Sequence, residues 1–309
     1  MIQLKTILCP VDFFKASSRA FDYALRLASN YGAKVHVLHV VATLVPQAYG
    51  APFSVEDLTA KLEKESRRLL EKLKERGARA NVRVTTEVRL GDIDLGILHS
   101  IDSHRADVVV MGTHGRRGFE RFVLGSVTER MIRHCPVPLL AISVAGKAAA
   151  SVPKIRRVLV TTDFSGGSSE AVQYAISIGE RNRARVTLLH VLHDLAADAA
   201  GKYRDALVRG IELQLHRLIP ERSLDRVEIE TRIEDGIPST VIPNLAKSGG
   251  FDLVVMNIHG KSLLDRALIG STAERTLREA AGVCPVLLIP PIKKAKRKGR
   301  NARGSALAA

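Results

Sequence analysis

The sequence predicts an α/β protein built of two tandem domains, and three observations carry that expectation. The chain is written twice. Asp12-Phe13, Ser17-Ser18, Ala20, Tyr23-Ala24, Ala33, Val35 and Leu38-His39-Val40 recur 151 residues later as Asp163-Phe164, Ser168-Ser169, Ala171, Tyr174-Ala175, Ala184, Val186 and Leu189-His190-Val191, giving 12 identities in 29 positions. In each copy, short β-branched apolar runs alternate with helical stretches five times, as parallel βαβ units with right-handed crossovers require. The chain is 46% hydrophobic but holds no Trp, eight Phe and five Tyr, so its cores must be mainly Val, Leu, Ile and Ala, which suits parallel strands buried on both faces. A length of 309 residues fits two domains.

The elements follow in order. Leu4 to Val11 reads as the first buried strand, and Ala20, Ala24, Leu27, Ala28 and Tyr31 share one face of the helix after it. Lys34 to Val41 is the second strand; Leu58, Leu62, Leu69 and Leu73 form the apolar stripe of a second, highly charged helix. Val82 to Val88, Asp107 to Met111 and Val137 to Ile142 are the remaining strands of copy one. Beyond the second strand the offset between copies becomes 145, pairing Gly91 with Gly236, Asp107 with Asp252 and Gly125-Ser126 with Gly270-Ser271. The second copy runs from Ile155 to Ile289, with Pro243 expected to kink its third helix. Gly146 to Pro153 reads as a linker, so the expected domains are 1–146 and 153–291, followed by a basic, disordered tail at 292–309.

Charge and cysteine content exclude several classes. Forty-seven Lys and Arg against 32 Asp and Glu give +15, which raises nucleic acid as a partner. Seven of those positive charges, Lys293 to Arg303, lie in the tail, leaving a modest +8 for the body. Nucleic-acid association is therefore expected, if anywhere, through the tail. Three scattered cysteines make no disulfide framework or Cys-x-x-Cys pair, and no apolar run is long enough to span a membrane. The expected setting is the cytoplasm, and the segment up to Phe14 reads as a strand rather than a signal peptide.

The chemistry concentrates where the fourth strand of copy one enters Gly112-Thr113-His114-Gly115-Arg116-Arg117, followed by Gly125-Ser126 at a helix start. In open parallel sheets ligands sit beyond the carboxyl ends of strands. Glycines let backbone N–H groups approach an anion, and a helix amino terminus adds unsatisfied donors and a favourable dipole. With Asp12 closing the first strand, the spacing Gly112-x2-Gly115-x9-Gly125-Ser126 resembles the ATP-binding class of the universal stress protein family, over both halves and nearly the whole chain. The resemblance implies doubly wound domains, each a five-stranded parallel sheet of order 3-2-1-4-5 with helices on both faces. It also implies an ATP site, with or without Mg²⁺: Asp12 on the ribose, Pro10 and the backbone near Val41 around the adenosine, and Gly112, His114, Gly115, Arg116, Gly125, Ser126 and Val127 around the phosphates.

Copy two keeps Asp163, Gly260, Gly270, Ser271 and Thr272 at matching positions but carries Asn257 where the first glycine belongs. Asn tolerates positive φ, but its side chain would take phosphate space, so nucleotide is expected mainly in the first repeat. Gly260-Lys261-Ser262 is not a P-loop, because Val255 stands where that motif needs glycine. His36 and His39 face opposite sides of one strand, His39 and His190 read as packing residues, and neither a metal motif nor a Ser-His-Asp order is present. Cys135 and Cys284 read as small buried side chains. An enzymatic alternative is slow ATP hydrolysis, which needs a general base near the γ-phosphate that the sequence does not nominate, or autophosphorylation, with the hydroxyls of Ser126 or Thr128 as phosphoryl acceptors. The two copies are expected to form an intramolecular pseudo-dimer through edge strands at Val137 and Val286; pairing of two chains stays open.

Overall fold

The computed structural model describes residues 2–42, 55–113, 124–143, 154–193, 197–258, 270–280 and 284–291. The linker, the tail and the tips of both glycine loops lie outside them. The first repeat runs β1 (Thr6–Pro10), α1 (Lys15–Tyr31), β2 (Lys34–Val41), α2 (Val55–Arg79), β3 (Val84–Leu90), α3 (Ile93–His104), β4 (Val108–Gly112), α4 (Ser126–His134) and β5 (Leu139–Ile142). The second repeats it: β6 (Arg157–Thr161), α5 (Ser168–Asn182), β7 (Arg185–Leu192), α6 (Ala197–Leu218), β8 (Ile229–Asp235), α7 (Pro238–Ser248), β9 (Leu253–Asn257), α8 (Ser271–Ala280) and β10 (Val286–Ile289).

All ten strands form one sheet of order β3-β2-β1-β4-β5-β10-β9-β6-β7-β8. Each half has the order 3-2-1-4-5 and is parallel throughout. The halves meet through β5 and β10, which pair antiparallel with Leu139, Leu140 and Ala141 opposite Leu288, Leu287 and Val286. The joint thus uses Val286 as expected, but on the other side it begins two residues beyond Val137.

The period-2 alternation of strand side chains divides the core into two layers. Ile7, Cys9, Val35, Val37 and Val110 face α1 and the buried Leu70 of α2. Leu8, Leu38, Val109 and Met111 face α3 and α4. Each of these fully buried aliphatic chains contributes roughly 1.5 to 3 kcal/mol. Cys9, Cys135 and Cys284 are buried in the same layers, and burial pushes the thiols of Cys135 and Cys284 up to about 12.

One helical stripe differs from expectation. Leu58 and Leu62 of α2 are exposed, while Ser66 and Leu70 are buried. A 25-residue helix is about 37 Å long, whereas the strands beneath it reach only about 25 Å. The start of α2 therefore runs past the sheet, and the apolar contact falls on its second half. Pro243 sits buried within α7, and Pro238 occupies the first turn of the same helix, where its missing N–H costs nothing. No helix among the described residues is long and apolar enough to cross a membrane.

Candidate ligand-binding crevice

In each half the crossover direction reverses between the two strands at its centre, β1 and β4 in the first. Their carboxyl ends separate there, and Asp12, just after β1, and Gly112, the last residue of β4, flank the opening.

Asp12 is held in place by its neighbours. Its Oδ1 accepts from the Phe14 N–H at 3.0 Å and from the Ser17 hydroxyl at 2.6 Å, and the Asp12 N–H donates to the same hydroxyl oxygen at 3.2 Å. Oδ2 has no such partner among the described residues. Phe13 lies at φ +65, in the left-handed region that bulky residues rarely occupy. Strain of this kind costs about 1 to 3 kcal/mol and persists only where surroundings impose it. Here the Phe13 ring packs 4.5 Å from the ring of His39, whose Nδ1 donates to Val11 O at 2.7 Å. Copy two repeats the device, with Phe164 at φ +59, 4.6 Å from His190, and His190 Nδ1 2.8 Å from Thr162 O. The two histidines expected to be packing residues are thus braces for the strand end that carries the carboxylate. Ser17 was visible in the sequence as a repeated residue; its contact with Asp12 was not.

Gly112 is required by packing. A Cβ there would lie 2.8 Å from the backbone carbon and Cβ of Ala16, so α1 could not close on β4. The Gly125 N–H donates to Thr113 O at 2.7 Å, joining the far end of the loop to its start. As N-cap of α4, Gly125 has no side-chain oxygen, so it leaves the first-turn N–H groups of Ser126, Val127 and Thr128 without a cap from its own side chain. Glu129, the acid in that turn, is paired with Arg133. Thr128 is buried, and its hydroxyl donates to Gly112 O at 2.9 Å. It is a tie between α4 and β4. Pro10 closes β1, and the Val41 carbonyl accepts the Gly91 N–H at 3.0 Å. His114, Gly115, Arg116 and Arg117, and Gly260 in copy two, lie outside the described residues.

The second crevice keeps the frame and changes the filling. Asp163 Oδ1 accepts from the Ser165 N–H at 2.9 Å and the Ser168 hydroxyl at 3.2 Å, and the Gly270 N–H donates to Ile258 O at 3.1 Å. Ser271 and Thr272 open α8. Asn257 does not adopt positive φ, and neither does Gly112; both are ordinary strand ends, so the glycine is needed for room and not for turning. The Asn257 amide spans the gap to α5: in the orientation that satisfies both ends, Nδ2 donates to Gly167 O at 3.0 Å and Oδ1 accepts the Ser168 N–H at 2.9 Å. A Cβ on Gly167 would come within 3.2 Å of that amide. Copy one has Gly112 against Ala16; copy two has Asn257 against Gly167. The small residue has changed sides.

Residues 3–143 and 154–290 each match the universal stress protein family. A universal stress protein of Methanocaldococcus jannaschii is 34% identical over 135 residues, 43% of this chain and 79% of its own length. One from Mycolicibacterium smegmatis is 26% identical over 303 residues, 94% of this chain and all of its own. The crystal structure of a universal stress protein from Archaeoglobus fulgidus superposes with a TM-score of 0.70 at 20% identity, over 94% of this chain and 98% of that one.

Proposed function

The chain belongs to the universal stress protein family as a two-repeat member, and from that premise we propose that it is a stress-response protein that binds ATP in the crevice of its first repeat. The observation that carries this reading is the pairing of a pre-positioned carboxylate with a helix start whose N-cap is a glycine, across one strand-end crevice. Asp12 is held through Oδ1 and keeps Oδ2 for a ligand hydroxyl. The first turn of α4 offers backbone donors that its glycine N-cap does not satisfy. A carboxylate accepts from ribose hydroxyls and repels phosphate, whereas helix-start N–H groups attract phosphate. The two chemistries sit at opposite sides of the same opening, as a nucleotide needs. His114, Gly115 and Arg116 complete the phosphate side in this reading, with Pro10 and Val41 beside the adenosine. In the second repeat the Asn257 amide bridges the crevice, so that site binds more weakly or serves as scaffold.

Calorimetric titration with ATP tests the reading. Asp12→Asn keeps one acceptor oxygen but loses the charge, and hydrogen bonds to charged groups are worth ~1.5 to 3 kcal/mol, so affinity should fall about 10- to 100-fold. Asp163→Asn should leave it near wild type. Loss of binding in Asp163→Asn with retention in Asp12→Asn would reverse the assignment of the two sites.

A further inference from the structure

Away from the crevice, on the sheet face covered by α3, three ligating side chains from three elements converge: His36 of β2, Glu87 of β3 and His104 at the end of α3, all with ligand atoms within 4.8 Å of one another. In register His36 stands opposite Thr85, so Thr85 and Glu87, two residues apart, lie on the same face as His36. Glu87 Oε2 is 3.0 Å from His36 Nε2 and 3.3 Å from His104 Nε2. The two imidazole rings are stacked with centroids 3.6 Å apart, and both Nε2 atoms approach the same carboxylate oxygen.

We propose that His36, Glu87 and His104 form a zinc-class divalent cation site. Two imidazole nitrogens and one carboxylate oxygen suit Zn²⁺ or a borderline congener, with water completing the shell, better than Mg²⁺ or Ca²⁺, which prefer oxygen donors. With metal–ligand bonds of roughly 2.0 to 2.1 Å, the ligand atoms of a tetrahedral site are about 3.3 Å apart; the two nitrogen-to-oxygen separations here are 3.0 and 3.3 Å. The surroundings supply the outer partners such sites use. Thr85 Oγ1 lies 2.8 Å from His36 Nδ1, a contact that, with Nδ1 protonated, turns the Nε2 lone pair to the site. Arg89 Nε lies 2.6 Å from Glu87 Oε1 and leaves Oε2 for the cation, beside the Ser100 hydroxyl at 3.1 Å. His36 is buried. His104 is half-buried, which gives the ion a way in from solvent.

The site belongs to one repeat. The positions matching His36, Glu87 and His104 are Thr187, Arg232 and Gly249 in the second, where Thr187 bonds Glu230 instead. It is also distinct from the nucleotide crevice: His36 is five residues before Val41 on β2, about 16 Å along the strand.

Chelator-stripped full-length protein titrated with ZnCl2 or CoCl2 alone tests the proposal. One equivalent of Zn²⁺ should bind, and Co²⁺ should develop the intense visible absorption of a tetrahedral site. His104→Ala and Glu87→Gln should each weaken binding by at least the ~10- to 100-fold that loss of an outer-shell partner costs, while His134→Ala on α4 leaves it unchanged. If a variant proves unstable, histidine-ring NMR of the wild type decides: Zn²⁺ should shift two ring resonances, those of His36 and His104. No binding at equimolar zinc, undiminished binding in a folded His104→Ala, or shifts confined to other histidines would overturn it.

Discussion

The exchange of Gly112 and Ala16 for Asn257 and Gly167 separates the two crevices at the level of single residues. Gly112→Asn alone should destabilise the protein by about 1 to 3 kcal/mol, because a Cβ 2.8 Å from the Ala16 backbone forces α1 off the sheet. Adding Ala16→Gly removes the contact with the Ala16 Cβ but not the equally close one with its backbone, so it should recover only part of that loss, against the ~1 kcal/mol a helical glycine costs. Urea unfolding of the wild type and these two variants measures this; a double variant less stable than Gly112→Asn by the full glycine cost would mean that the two residues do not share one space. Asn257→Gly, conversely, removes two hydrogen bonds to the start of α5, and should lower stability without giving the second repeat the crevice of the first.

At the scale of elements, strand starts are pinned by a repeated acid. Asp107 Oδ2, ahead of β4, accepts the Lys5 and Thr6 N–H groups at 2.7 and 2.9 Å, and Asp252 Oδ2 does the same for Arg156 and Arg157 at 2.7 and 3.0 Å. Two charge-assisted bonds fix where β1 begins relative to β4. Asp107→Ala should cost about 1 to 3 kcal/mol and leave ATP affinity within about twofold, since the acid lies at the opposite end of the strands from the crevice. Comparing the melting shift with a nucleotide titration on one preparation separates the two effects. The sequence comparison had already paired Asp107 with Asp252; only the register explained why the pair recurs.

For the whole molecule, the antiparallel joint of β5 and β10 turns two five-stranded halves into one ten-stranded sheet. Contacts across the seam reinforce it: the Ile2 N–H donates to Ser177 Oγ at 3.1 Å, and the Arg181 guanidinium lies 4.4 Å over the Tyr31 ring. Leu4, Tyr23, Tyr31, Leu140, Tyr174 and Leu287 line an apolar pocket there. The joint places β5 and β10 at the centre and leaves β3 and β8 as the two edges. Amide hydrogen exchange should accordingly be slowest in β1, β4, β5, β10, β9 and β6 and fastest in β3 and β8. Fast exchange in β5 and β10 together would mean that the halves fold as separate units that only touch.

Much of this was legible in the residues, because the information is local or repeated. The βαβ alternation follows from apolar period, and the duplication from the spacing of Asp12 with Asp163 and His39 with His190. Gly112, Gly125 and Asp12 were legible as a crevice because strand ends and helix starts announce themselves within a few residues. The stripe on α2 was misread at Leu58 and Leu62 because periodicity gives the face of a helix but not how far the sheet beneath it extends. The group of His36, Glu87 and His104 is not legible in the sequence for a related reason: its members are 51 and 17 residues apart, and only the parallel register of β2 with β3 and the packing of α3 on that face bring them together. The elements, their duplication and the glycines and carboxylate that frame the first crevice are written in the sequence, since each depends on chemistry between near neighbours in the chain. Tertiary structure was needed for the antiparallel register of the joint between the halves, for the bridge that Asn257 makes across the second crevice and for the meeting of two histidines with one carboxylate, because each depends on distances between residues that the chain keeps far apart.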